Sequence, residues 1–156
     1  MQVREVMTAN VERVPPETSL SEAATKMKQC DVGAIPVYDG DRLIGMLTDR
    51  DIAIRAVAEA KDSAATPVCD VMSRGIAYCF DDQDIREAGA LMRQEKLRRL
   101  IVLNRDKRLV GIVSLGDLAA QGDDKVAGKT LKGVARDGRQ RPASTPTKRA
   151  RAAQTR

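Results

Sequence analysis

Two short patterns in this chain pair a hydroxyl with an acid three positions later: Gly45, Thr48 and Asp51, then Gly111, Ser114 and Asp117. Each falls where an apolar run gives way to a helical pattern. Free N–H groups and a hydroxyl at a helix start favour an anion such as phosphate, and a carboxylate one turn on can accept both hydroxyls of a ribose. A single copy reads equally well as an N-cap with its third-position acid. The repetition shifts the balance toward nucleotide recognition. Arg98 and Arg99 add two guanidinium groups at the entry to a later apolar run, a side chain well shaped for phosphate.

Other chemistries find little support. The chain has no histidine, which removes the commonest general base and every Ser/His or Cys/His nucleophile pair. Cys30, Cys69 and Cys79 are far apart with no C-x-x-C, so neither a zinc site nor a disulfide framework is expected, and a reducing, cytoplasmic setting fits best. A stretch from Gly122 to Thr130 superficially resembles a phosphate-binding P-loop. It has one residue too many between its glycines and follows a helix rather than a strand. The expected role is binding, with no catalysis and no required cofactor.

The elements that position these residues are set by an internal repeat. Val3-Arg4-Glu5-Val6-Met7-Thr8 aligns with Val68-Cys69-Asp70-Val71-Met72-Ser73, and Leu20-Ser21-Glu22-Ala23 with Ile85-Arg86-Glu87-Ala88, at an offset of 65. After one inserted residue, residues 43 to 52 align with residues 109 to 118. Each copy reads as βαββα. A short strand (11 to 14; 76 to 79) leads to a helix with Leu20, Ala23, Ala24 and Met27, or Ile85, Ala88, Leu91 and Met92, at helical spacing. A hairpin follows (34 to 38 with 42 to 47; 99 to 103 with 108 to 113), turning at Asp39-Gly40 and at Asn104-Arg105-Asp106. A second helix closes the unit. One such unit buries little apolar surface alone, so the two are expected to pack sheet to sheet about a pseudo-twofold axis, with related loops around one cleft.

With 156 residues, the chain divides into a first repeat over residues 1 to 64 and a second over 65 to 121. A short helix is expected over 122 to 135, carrying Val126, Leu131 and Val134, and a flexible basic tail over 136 to 156. Residues 122 to 156 hold ten Lys and Arg against three Asp and Glu, while the rest of the chain holds 17 against 19. Such a tail is expected to be solvated, with nucleic acid as an alternative partner. Only three aromatic residues, Tyr38, Tyr78 and Phe80, are available for base stacking, so that binding would be phosphate-driven. No apolar run is long enough to span a bilayer, and no secretory signal pattern opens the chain.

Residues 1 to about 121 resemble a tandem pair of CBS domains. The resemblance rests on Val6-Met7-Thr8, Val14-Pro15-Pro16, Gly33-Ala34-Ile35-Pro36-Val37 and Gly45 through Ile52, then on Val71-Met72-Ser73, Arg98-Arg99-Leu100-Ile101-Val102 and Gly111 through Leu118. It implies a regulatory module that binds AMP, ADP, ATP or S-adenosylmethionine between the repeats, associates as a homodimer and signals to an effector protein. By position it assigns Asp51 and Asp117 to ribose, Thr48 and Ser114 to the neighbourhood of phosphate, and Arg98 and Arg99 to phosphate. Adenine would lie against Val11, Val32 and Ile35, or Ile76, Leu97 and Leu100. Copy one departs from copy two: Gly33 and Ala34 stand where Arg98 and Arg99 do, so the two sites are not equivalent, and Arg50 is a partial substitute.

Overall fold

The computed structural model describes residues 1–121 and 123–135, so the basic tail lies outside the described residues. A 3-10 turn at Val3–Glu5 precedes β1 (Thr8–Ala9). The first repeat continues with α1 (Leu20–Cys30), β2 (Ala34–Asp39), β3 (Arg42–Thr48) and α2 (Asp49–Ile52), which runs into one π-helical turn at Ala53–Val57. A matching 3-10 turn at Val68–Asp70 opens the second repeat, followed by β4 (Tyr78–Phe80), α3 (Ile85–Glu95), β5 (Arg99–Leu103), β6 (Leu109–Ser114) and α4 (Leu115–Gln121). A last helix, α5, spans Asp124–Ala135. The result is the expected mixed α+β fold of two repeats.

Local sequence explains most boundaries. Ser19 caps α1 by accepting the Glu22 N–H at 3.2 Å, and Asp84 caps α3 by accepting the Arg86 N–H at 2.9 Å. Both helices end in a left-handed residue, Asp31 at φ 53° and Lys96 at φ 56°. Gly40, at φ 59°, turns the β2–β3 hairpin.

The first strands differ from expectation. In residues 11 to 14 only Val14 joins a ladder, as a single parallel bridge to Val37, because Pro15 and Pro16 have no N–H to extend it. In the second repeat the strand lies at Tyr78–Phe80, parallel to β5, rather than at 76 to 79.

The larger difference is that the repeats exchange their leading segments. β1 leaves its own repeat and pairs antiparallel with β6, Thr8 opposite Ile112 and Ala9 opposite Gly111, in a four-stranded sheet ordered β1-β6-β5-β4. Ser73, the counterpart of Thr8, bridges Met46 beside the two-stranded β2-β3 sheet. The reciprocity is that of a pseudo-twofold axis. The cores follow it: Val3 and Val6 are buried with Ile85, Met92, Leu100 and Leu118, while Val68, Val71 and Met72 are buried with Leu20, Ile35 and Leu47.

This exchange explains the glycine in each repeated pattern. A Cβ on Gly111 would lie 2.7 Å from both the Met7 Sδ and the Thr8 carbonyl oxygen. On Gly45 it would lie 2.5 Å from the Met72 Sδ and 3.0 Å from the Ser73 carbonyl oxygen. Each Val-Met-Thr/Ser segment crosses directly over the other repeat's glycine, where no side chain fits.

Helix α5 packs against α3 and α4. It buries Ala127, Thr130 and Val134, whereas Leu131, expected on the inner face, is 52% exposed. The contact favours small residues: the Thr130 Oγ1 comes within 2.6 Å of a Cβ position on Gly89. The buried hydroxyl donates to the Val126 carbonyl oxygen at 2.7 Å, and the Arg93 Nη1 donates to it at 3.4 Å.

Candidate functional site

Thr48 and Ser114 end β3 and β6 and cap the helices that follow. At the first box, the Thr48 Oγ1 accepts the Asp51 N–H and the Asp51 Oδ2 accepts the Thr48 N–H, both at 3.0 Å. At the second, the Ser114 Oγ accepts the Asp117 N–H at 3.1 Å, while the Ser114 N–H and hydroxyl both donate to the Asp117 Oδ2 at 2.7 Å. These are reciprocal capping boxes, each orienting its carboxylate at the start of a helix.

The two acids have different surroundings. Asp51 is only 8% exposed. The Ser73 Oγ donates to it, 3.3 Å from Oδ1, and the Arg55 Nη1 stands 4.0 Å from the same oxygen. Arg55 also donates to the carbonyl oxygens of Val71 and Met72, at 3.1 Å each, tying the π-helical turn to the exchanged segment. Asp117 is half-buried. Its counterpart of Ser73 is the exposed Thr8, its counterpart of Arg55 is Gln121, and its contacts among the described residues fall on Oδ2 alone.

The arginines reach across the repeats. Arg99 begins β5 in the second repeat, yet its Nη2 lies 3.1 Å from a Cβ position on Gly33, and the Asp49 Oδ2 lies 2.8 Å from the same point. Gly33 therefore leaves room for a cation of one repeat and an acid of the other to converge. Arg98 is exposed, its carbonyl oxygen accepting the Leu115 N–H at 2.9 Å, and Arg50 is exposed with its N–H on the Asp49 Oδ1 at 2.8 Å.

Of the residues expected to face adenine, Val11, Val32, Ile76 and Leu97 are half-buried and keep some surface. Ile35 and Leu100 are 1% and 0% exposed and sit inside the two cores, so they back the cleft rather than line it. Sequence reasoning missed Ser73, Arg55 and Asp49. The alignment of Ser73 with Thr8 was visible, but not that the segment crosses to the other repeat's acid. Cys79 is buried, which pushes its thiol up to about 12. No cluster of His, Cys, Asp and Glu able to hold a metal ion occurs among the described residues, and no described helix is long and apolar enough to cross a membrane.

Comparison with known proteins follows the same two-part organisation. The family model for the CBS domain matches residues 3–57 and 68–122. The CBS domain-containing protein YhcV of Bacillus subtilis is 44% identical over 133 residues, covering 85% of this chain and 94% of that protein. Hypoxic response protein 1 of Mycobacterium tuberculosis is 38% identical over 117 residues, covering 74% of this chain and 81% of its own length. The solved structure of CBS domain protein PAE2072 from Pyrobaculum aerophilum, complexed with AMP, superposes with a TM-score of 0.71 at 22% identity, covering 85% of this chain and 99% of that one.

Proposed function

The chain belongs to the CBS domain family, and we propose that it is a regulatory module that binds an adenosine ligand in the cleft between its repeats and passes the change to an effector protein. The observation that carries this reading is the pair of boxes, Thr48–Asp51 and Ser114–Asp117, joined by an Arg99 that reaches from the second repeat to Gly33 and Asp49 of the first. In this reading the free Oδ1 of Asp117 accepts ribose hydroxyls, with Ser114 beside the phosphate. Arg98 and Arg99 neutralise phosphate, and Arg50 does so more weakly for the first repeat. Val11, Val32, Ile76 and Leu97 flank the adenine. Asp51 is available to a ribose only if Ser73 and Arg55 release it, so the second repeat's acid is the stronger site. A protein of the same fold holding AMP is compatible with this ligand class. Association of the chain into dimers is part of the same reading.

Calorimetric titration of nucleotide-stripped protein with AMP, ADP, ATP and S-adenosylmethionine tests it. Saturable binding is expected for at least one, lost in Asp117→Ala and retained in part in Asp51→Ala. Arg99→Ala is expected to weaken a phosphorylated ligand about tenfold or more, since a charge-assisted hydrogen bond is worth about 1.5–3 kcal/mol. Folded protein that binds none of the four overturns the reading.

A further inference from the structure

The two helical faces of this molecule are built from equivalent residues, and only one is covered. On the second repeat α5 lies over Gly89, Arg93 and Lys96, touching the first two and accepting a hydrogen bond from the Lys96 Nζ at the Gly133 carbonyl oxygen, 3.1 Å away. Their counterparts at the offset of 65 are Ala24, Lys28 and Asp31. These line an open groove of about 510 Å³ on the first repeat, floored by Met27, Val32 and Ile52. Beyond it the π-helical turn exposes Ile54 (53%) and Val57 (71%). At the matching positions of the second repeat stand Ala120 and Asp123, where the chain turns into α5. An apolar pair kept in water on one repeat and replaced on the other, where an intramolecular helix covers the face, marks a surface that is covered from outside.

We propose that this groove, extended by Ile54 and Val57, is where a second copy of the chain docks through its own first repeat, and that α5 confines self-association to this one face. The inference rests on the dimeric part of the reading above and assigns its surface. Charge argues for a second copy rather than an unrelated helix. The rim carries Lys28 together with Asp31 and Asp49, all exposed, so a twofold axis sets the lysine of one copy against the acids of the other.

Sedimentation velocity of the full chain over a range of concentrations is the experiment. The unsubstituted protein is expected to dimerise, and Ile54→Glu with Val57→Glu to raise the dissociation constant about a hundredfold or more, as expected for loss of central apolar anchors. Leu131→Glu, on the exposed side of α5, is expected to leave it unchanged. Lys28→Asp and Asp31→Lys are each expected to weaken the dimer, and their combination to restore it. Thermal unfolding of every variant verifies that it is folded. A dimer that survives Ile54→Glu with Val57→Glu, or that the charge swap does not restore, overturns the assigned surface while the dimeric reading stands. A monomer at every concentration overturns both.

Discussion

The two repeats share a motif and place its acid in different states. Asp51 is held by Thr48, by Ser73 from the exchanged segment and by the nearby Arg55; Asp117 is held by Ser114 alone. The first arrangement makes the acid a structural tie between the repeats. The second leaves a carboxylate oxygen free at the start of a helix. Duplication therefore preserved the box while its surroundings divided the work, one copy leaning toward integrity and the other toward a ligand.

The largest expected effect tests the frame that carries both boxes. Gly111→Ala places its new Cβ against a backbone oxygen at 2.7 Å, which cannot swing away, whereas in Gly45→Ala the closest obstacle is the flexible Met72 thioether. Overpacking costs roughly 1–3 kcal/mol, and we expect Gly111→Ala at the upper end and Gly45→Ala at the lower. Urea unfolding measures both; equal losses would erase this contrast between the repeats.

A smaller effect separates the acids. Removing either carboxylate breaks a cap, worth about 1 kcal/mol. Asp51→Ala also leaves Ser73 and Arg55 without their carboxylate, so it is expected to lower stability more than Asp117→Ala, the reverse of their order in ligand binding. Measuring unfolding free energy and ligand affinity on the same two variants would show whether the orders do cross.

The smallest effect concerns acid. The first helix of repeat one is capped by neutral Ser19 and that of repeat two by Asp84. The Arg86 N–H that Asp84 accepts, helped by the nearby terminal ammonium, holds its carboxyl below the ordinary 3.8. A depressed carboxylate adds stability that is present above its unfolded value and lost as pH falls through the folded one. Below 3.8, hydrogen exchange is therefore expected to quicken in α3 more than in α1, modestly because the group is exposed, and Asp84→Ser is expected to level the two.

How far the sequence could be read follows from how local each feature is. The hairpins were legible because turn residues such as Asp39-Gly40 separate alternating apolar runs, and α1 and α3 because Leu20, Ala23 and Met27 or Ile85, Ala88 and Met92 recur at helical spacing. The capping boxes were legible because each lies within four residues. The exchange was not, since β1 is two residues long and shows no periodicity, and its partner is about a hundred positions away in sequence. The same limit hid Ser73 from the site. At α5 the apolar pattern pointed to Leu131, but the inner face went to Ala127 and Thr130, because Gly89 lets small side chains approach closely.

The exchange of leading segments also bears on the order in which the protein can be built. The core around Leu20, Ile35 and Leu47 draws on residues 14 to 72, a continuous stretch, and is complete as soon as that stretch has left the ribosome. The core around Met92, Leu100 and Leu118 needs Val3 and Val6, the first apolar residues to emerge, and they wait for almost everything else to be synthesised. Closing so long a loop adds an entropic cost that grows slowly with its length, so the delay is chiefly one of time. The first segment out is thus the last to be seated, and until then β6 offers an open edge to any passing strand.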